Sequence, residues 1–192
     1  MLALPTAPAP APRRQVLVGT ALVVAGAAAL VGGMAALFLR FRVAAIYNGE
    51  KWVPKDVKFS MVAANTMLLS LIPICIFAQW AVYSAKREDK PHTALALGLS
   101  ALIGLAFINA QAFIYGTTNM GVGLGPYSVM FYALTGVTLA LAVIGVGFSA
   151  VTAFRYLGGR ITDRDIVAAH ALYWYAFTAV FSVVWFVVYV TK

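Results

Sequence analysis

All six carboxylates of this 192-residue chain, Glu50, Asp56, Glu88, Asp89, Asp163 and Asp165, fall in short polar segments, and the long apolar runs between them contain none. That confinement fixes the solvent. An ionised side chain at the centre of a bilayer costs at least ~2.5–3.5 kcal/mol, so acid-free runs of membrane length are what lipid demands of a spanning helix. Composition agrees, since the chain is 62% apolar and 10% charged, with a mean hydropathy of +0.89. These values exclude a water-soluble fold.

Crossing ~30 Å of hydrocarbon at ~1.5 Å per residue takes ~20 residues. Five stretches meet that length: 16–39, 59–84, 93–115, 127–154 and 166–190. The expected fold is therefore all-α, an integral membrane bundle of five transmembrane helices over residues 15–192. Residues 1–14, rich in Ala and Pro, read as a disordered, polyproline-like tail. The first apolar run is too long for a signal-peptide core of ~7–15 residues and is read as a retained span.

Five spans put the two termini on opposite sides. Arg13, Arg14, Lys86, Arg87, Lys90, Arg155, Arg160 and Arg164 share the amino-terminal side, against Arg40, Arg42, Lys51, Lys55, Lys58 and Lys192 on the other. The excess of cations places the amino terminus in the cytoplasm by the positive-inside rule. The net charge of +8 is met by lipid phosphate and by topology, and calls for no nucleic acid.

Local signals refine the spans. Gly158-Gly159 can end the fourth helix, and Thr162 with Asp165 resembles a capping box that starts the fifth. Pro73 removes an amide donor inside the second span and should bend it. Ala21, Ala25, Ala29 and Gly33 place small residues on one stripe of the first helix, a pattern that lets another helix approach closely; Gly136 is a further packing candidate.

Residues that carry chemistry are scarce. A membrane haem needs axial ligands, and the only imidazoles are His92 and His170, both near helix starts on one side; both are read as interfacial groups bonding backbone or headgroups. Cys75 and the scattered Met residues lack companions for a copper site. The polar residues at depth are amides and hydroxyls. Asn65 and Thr66 on the second span should lie level with Asn109 and Gln111 on the third, forming a cross-helix hydrogen-bond cluster. Gly121-Val122-Gly123-Leu124-Gly125-Pro126 lacks the Lys and Ser/Thr of a phosphate loop and reads as a tight hairpin. No catalytic, cofactor-binding or metal-ligating residue is assigned.

Several phrases recur in a known order. Gly19-Thr20 opens the first helix, and Lys51-Trp52-Val53-Pro54 forms a Trp-Pro loop. Gln111-Ala112-Phe113-Ile114-Tyr115 closes the third helix. Tyr127-Ser128-Val129-Met130-Phe131-Tyr132 leads to Ala133-Leu134-Thr135-Gly136, and Tyr173-Trp174-Tyr175-Ala176 lies near the carboxyl terminus. With these, residues 16–192 resemble subunit III of the haem-copper respiratory oxidases, particularly the five-helix form of actinobacteria.

The resemblance implies a non-catalytic scaffold in a bacterial plasma membrane. Its partners would be the catalytic subunit I, carrying haem and copper, and other respiratory-complex subunits, with structural phospholipid bound in a cleft. Trp52, Tyr115, Tyr173 and Trp174 are the implied lipid or partner contacts. The chain departs from the family where ionisable groups are expected: Ala27 and Ile114 stand for carboxylates, and Thr138, Leu141 and Tyr175 for imidazoles. Two other readings stay open, a small transporter or permease subunit, and an accessory or assembly protein of a nitric oxide-reducing or oxidase complex.

Overall fold

The computed structural model describes residues 14–54, 57, 59–159 and 164–191. Five helices follow in order: α1 (Gln15–Tyr47), α2 (Met61–Lys86), α3 (Lys90–Thr117), α4 (Pro126–Leu157) and α5 (Arg164–Trp185), the last prolonged by a π-helical turn, Phe186–Val190. Each of the five is long and apolar enough to cross a membrane. Among the described residues there is no strand. The proposed tail lies outside the described residues except for Arg14, and so does Thr162 of the proposed capping box.

The ends of the helices follow from local chemistry. Ser60 caps α2, accepting from the amide of Ala63 at 3.4 Å. A three-residue turn then joins α2 to α3, with Glu88 at φ 58° and its amide on the carbonyl of Ala85 at 3.2 Å. Asp89 caps α3 by accepting from the amide of His92 at 3.2 Å, and Pro91 occupies the first turn, where no intrahelical donor is lost. Gly125, at φ 132°, precedes Pro126 at the start of α4.

The α3–α4 hairpin is pinned from α4. The Ser128 hydroxyl reaches the carbonyls of Val122 at 2.8 Å and Gly125 at 2.9 Å, and the Tyr132 hydroxyl donates to Met120 at 2.6 Å. These bonds satisfy loop carbonyls that the bilayer surface would otherwise leave exposed. At the other end of α4, the amide of Gly158 closes on the carbonyl of Phe154 at 2.9 Å, and Gly159 sits at φ 95°. The expected helix stop at this pair of glycines is therefore seen. Helix α2 runs unbroken through Pro73.

Helix α5 is the hub. It packs against α1, α2 and α4, and its aromatic residues reach α3, where Phe107 meets Phe177 and Phe181 at centroid distances of 5.4 and 4.8 Å. Helix α3 fits between α2 and α4, whereas α1 lies on the outside against α4 and α5. Only Val31, Ala35 and Phe38 of α1 are fully buried.

Candidate functional site

The small-residue stripe of α1 faces away from the other helices. Ala21, Ala25, Ala29 and Gly33 are all exposed, and α1 turns Val24, Ala27, Val31 and Phe38 inward instead. A side-chain carbon at Gly33 or at the half-buried Gly136 would meet nothing within 4 Å. Among the described residues, neither glycine therefore mediates a close contact, which corrects an intramolecular reading of these two packing candidates.

The close contacts lie at Gly104 and Gly145, which the sequence reading missed. A Cβ on Gly104 would stand 2.6 Å from Cγ2 of Val146 and 3.1 Å from Cη2 of Trp174. On Gly145 it would stand 2.8 Å from Cε1 of Tyr173 and 3.0 Å from Cη2 of Trp174. The indole of Trp174 thus wedges α3, α4 and α5 together over bare backbone. The signal was present in the sequence: Ser100 with Gly104, and Gly145 with Ser149, are small pairs at four-residue spacing, and all four are buried.

Around that wedge lies a buried polar group. The indole Nε1 of Trp174 donates toward Nε2 of His170 at 3.0 Å and Oγ of Ser149 at 3.1 Å, while Ser149 Oγ and His170 Nε2 are 2.7 Å apart. An indole nitrogen can only donate, so its proton is shared between Nε2 of His170 and Oγ of Ser149. His170 is fully buried rather than interfacial, a correction with a clear cause: this network gives Nε2 the partners that lipid headgroups would otherwise supply, while Nδ1 faces no polar partner among the described residues. His92 does stay at the surface, its Nδ1 2.8 Å from Oδ2 of Asp89.

The expected amide cluster is not assembled. Asn65 accepts from Nε1 of Trp185 on α5 at 3.1 Å, Thr66 bonds its own helix at Val62, and Asn109 is exposed. Gln111 is buried beside the hydroxyls of Tyr115 and Tyr189. The cause is azimuth: Asn65 points to α5, whereas α3 presents Asn109 outward. The cross-helix bonds instead form a ladder between α2 and α5. Besides Asn65 with Trp185, Cys75 Sγ lies 3.2 Å from Thr178 Oγ1 and Tyr175 donates to Gln79 at 2.7 Å.

The aromatic candidates turn inward too. Trp52 is buried, its ring edge-on to Phe38 and Tyr127 at 5.3 Å each, tying the α1–α2 loop to α1 and α4. Tyr173 and Trp174 are buried, Tyr173 donating to the carbonyl of Leu141 at 2.5 Å. Tyr115 is half-buried and donates to Thr135 at 2.9 Å. As lipid or partner contacts, Trp52, Tyr173 and Trp174 are corrected to core residues, because each has shape or polar partners inside the bundle.

Among the described residues, no three His, Cys, Asp or Glu side chains converge as a metal would require. Ala27 and Leu141, two positions where the resemblance implies ionisable groups, line one recess of 10 Å³ together with Val24, Tyr173 and Phe177. Its walls are apolar side chains and one Tyr.

This architecture defines the class: a polytopic helical membrane protein built around its fifth helix. The chain belongs to the cytochrome c oxidase subunit III family, whose pattern matches residues 13–192. It is similar to the probable cytochrome c oxidase subunit 3 of Rickettsia felis, at 30% identity over 59% of this chain and 41% of that protein. The cytochrome c oxidase subunit 3 of Xenopus laevis is 26% identical over 74% of this chain and 55% of that protein. That of Rattus norvegicus is 30% identical over 66% and 47%. The chain thus spans about half the length of the curated relatives it matches.

Proposed function

We propose that this protein is a non-catalytic, subunit III-like component of a respiratory terminal oxidase, lying beside the haem-copper subunit in a bacterial plasma membrane and holding structural phospholipid. Its amino terminus faces the cytoplasm. Family membership supports the setting. The observation that carries the structural role is α1: a 33-residue apolar helix whose small stripe, Ala21 to Gly33, is exposed, with no described atom within 4 Å of a side-chain carbon placed on Gly33. In lipid, such a stripe favours close packing with a further helix, since van der Waals contact and not hydrophobicity drives association there.

Haem and copper belong to the partner in this reading. The chain's own part is to shape and cover a flank of the assembly. Purification of the tagged chain in mild detergent tests it. Recovery of a haem-bearing, oxygen-consuming complex at stoichiometric ratio is expected. A colourless single species after gentle extraction would overturn the reading, and a substoichiometric, transient association would replace it with an assembly role.

A further inference from the structure

On the side opposite the amino terminus, the end of α1, the loop after it and the α3–α4 hairpin enclose a cavity of 320 Å³. Trp52 and Tyr127 line it, only 8% and 2% exposed. Their rings meet edge-on at 5.3 Å, and both touch Phe38 of α1. The polar atoms of those rings are left over. Nε1 of Trp52 and Oη of Tyr127 are buried, and neither has a hydrogen-bond partner among the described residues. The neighbouring hydroxyls of Ser128 and Tyr132 differ, since both are bonded to carbonyls of the hairpin. A third donor stands close by. Arg42 follows Phe38 by four positions and precedes Ala45, another lining residue, by three, so the three share one face of α1. Its Nε is likewise buried without a partner among the described residues. Among those residues no carboxylate pairs with it, and the Glu50 and Lys51 of the lining offset each other.

We propose that this cavity receives an aspartate or glutamate side chain of a partner polypeptide, whose carboxylate accepts from Trp52 Nε1 and Tyr127 Oη and answers the charge of Arg42. Trp52 can only donate, so the group that suits it is an acceptor. The guanidinium of Arg42, with its Nε buried, favours an acceptor that is also an anion. The volume lies at the low end of the ~300–1,000 Å³ of small-ligand pockets, which is room for a side chain and not for a two-tailed lipid. Trp, Tyr and Arg are also the side chains on which binding energy concentrates at protein interfaces. The ring of Trp52 stays in the core, and only its N–H is offered outward. The inference deepens the assembly part of the proposed function and rests on it.

The test uses the full chain purified in mild detergent with whatever subunits it carries, beside the same chain stripped of them. Trp52→Phe/Tyr127→Phe keeps both rings and removes both donors. In the complex, this variant is expected to release its partner at least about tenfold faster, the effect of losing hydrogen bonds to a charged group. In the stripped chain its denaturant midpoint is expected to stay or rise, because a buried donor without an acceptor destabilises. Photo-cross-linking in intact membranes, from p-benzoylphenylalanine in place of the exposed Leu124, identifies the occupant. The expected adduct is a partner peptide containing Asp or Glu. Changing that acid to its amide should reproduce the tenfold effect and add nothing to the double Phe variant. Wild-type release by the double variant, a lower midpoint of the stripped chain, or an adduct with phospholipid alone each overturns the site. Haem is scored in the same preparation. A haem-bearing complex without the Leu124 adduct overturns the site and leaves the oxidase reading standing, whereas an acid-dependent adduct with a colourless partner does the reverse.

Discussion

The indole of Trp174 lies against the bare backbone of Gly145, where a side-chain carbon would stand 3.0 Å from both Cη2 and Cζ2. Gly104 approaches the same ring from α3, so one side chain gauges the spacing of three helices. Close approach of this kind is how helices gain contact in a solvent as apolar as themselves.

Gly145→Ala is therefore expected to destabilise the bundle. Helix propensity favours Ala by ~1 kcal/mol, but overpacking a tight site costs ~1–3 kcal/mol, and the ring cannot retreat because Gly104 backs it. A net loss of about 1–2 kcal/mol should appear as a lower denaturant midpoint in detergent. Gly33→Ala, in open space, should leave that midpoint unchanged or slightly raised.

Gly33→Leu separates folding from assembly. It extends from an exposed stripe, at a position whose Cβ meets no described residue within 4 Å, so stability of the isolated protein should change by less than ~0.5 kcal/mol. Recovery of partner subunits should fall, as read by quantitative immunoblot of the purified complex. Unchanged recovery would show that the partner helix lies elsewhere.

Ser149→Ala and His170→Ala differ in what they strand. The first leaves the Trp174 indole still donating to His170 and should cost about 1 kcal/mol. The second removes two hydrogen bonds and opens a cavity in a fully buried site, costing roughly 2–4 kcal/mol. Equilibrium unfolding of both variants in one detergent checks the order.

The cap at the start of α3 is acid-sensitive. The side chain of His92, and then its amide, holds the Asp89 carboxyl below its usual range. Such a group stabilises fully above its unfolded pKa of ~3.9, and loses that contribution as pH falls through the lower folded value. Hydrogen exchange at the His92 amide should accelerate below about pH 4, and Asp89→Ala should show the fast rate at every pH. His92→Ala should weaken the cap yet leave the haem content of the purified complex unchanged.

Much of the fold was legible because the bilayer permits few solutions. Acid-free runs gave five spans, and Gly158-Gly159 and the Gly-rich hairpin marked their ends where the structure has them. Azimuth was less legible. The small stripe on α1 was seen while the equivalent pairs on α3 and α4 were not, since spacing alone does not say which face meets a neighbour. The same limit misplaced Asn65, whose partner Trp185 is 120 residues away, and sent Trp52, Tyr173 and Trp174 to the surface. Apolar residues surround all of these helices whether lipid or protein lies beyond, so periodicity cannot separate inside from outside as it does in water.

Helix α5 is also the last of the five to leave the ribosome. Until it inserts, α1 lacks one of its two main partners, α2 lacks its ladder of partners, and the notch formed by Gly104 and Gly145 lacks the Trp174 ring. The bundle is therefore incomplete until its fifth helix is in the membrane. Any helper that shields the unfinished helices would be released by arrival of α5.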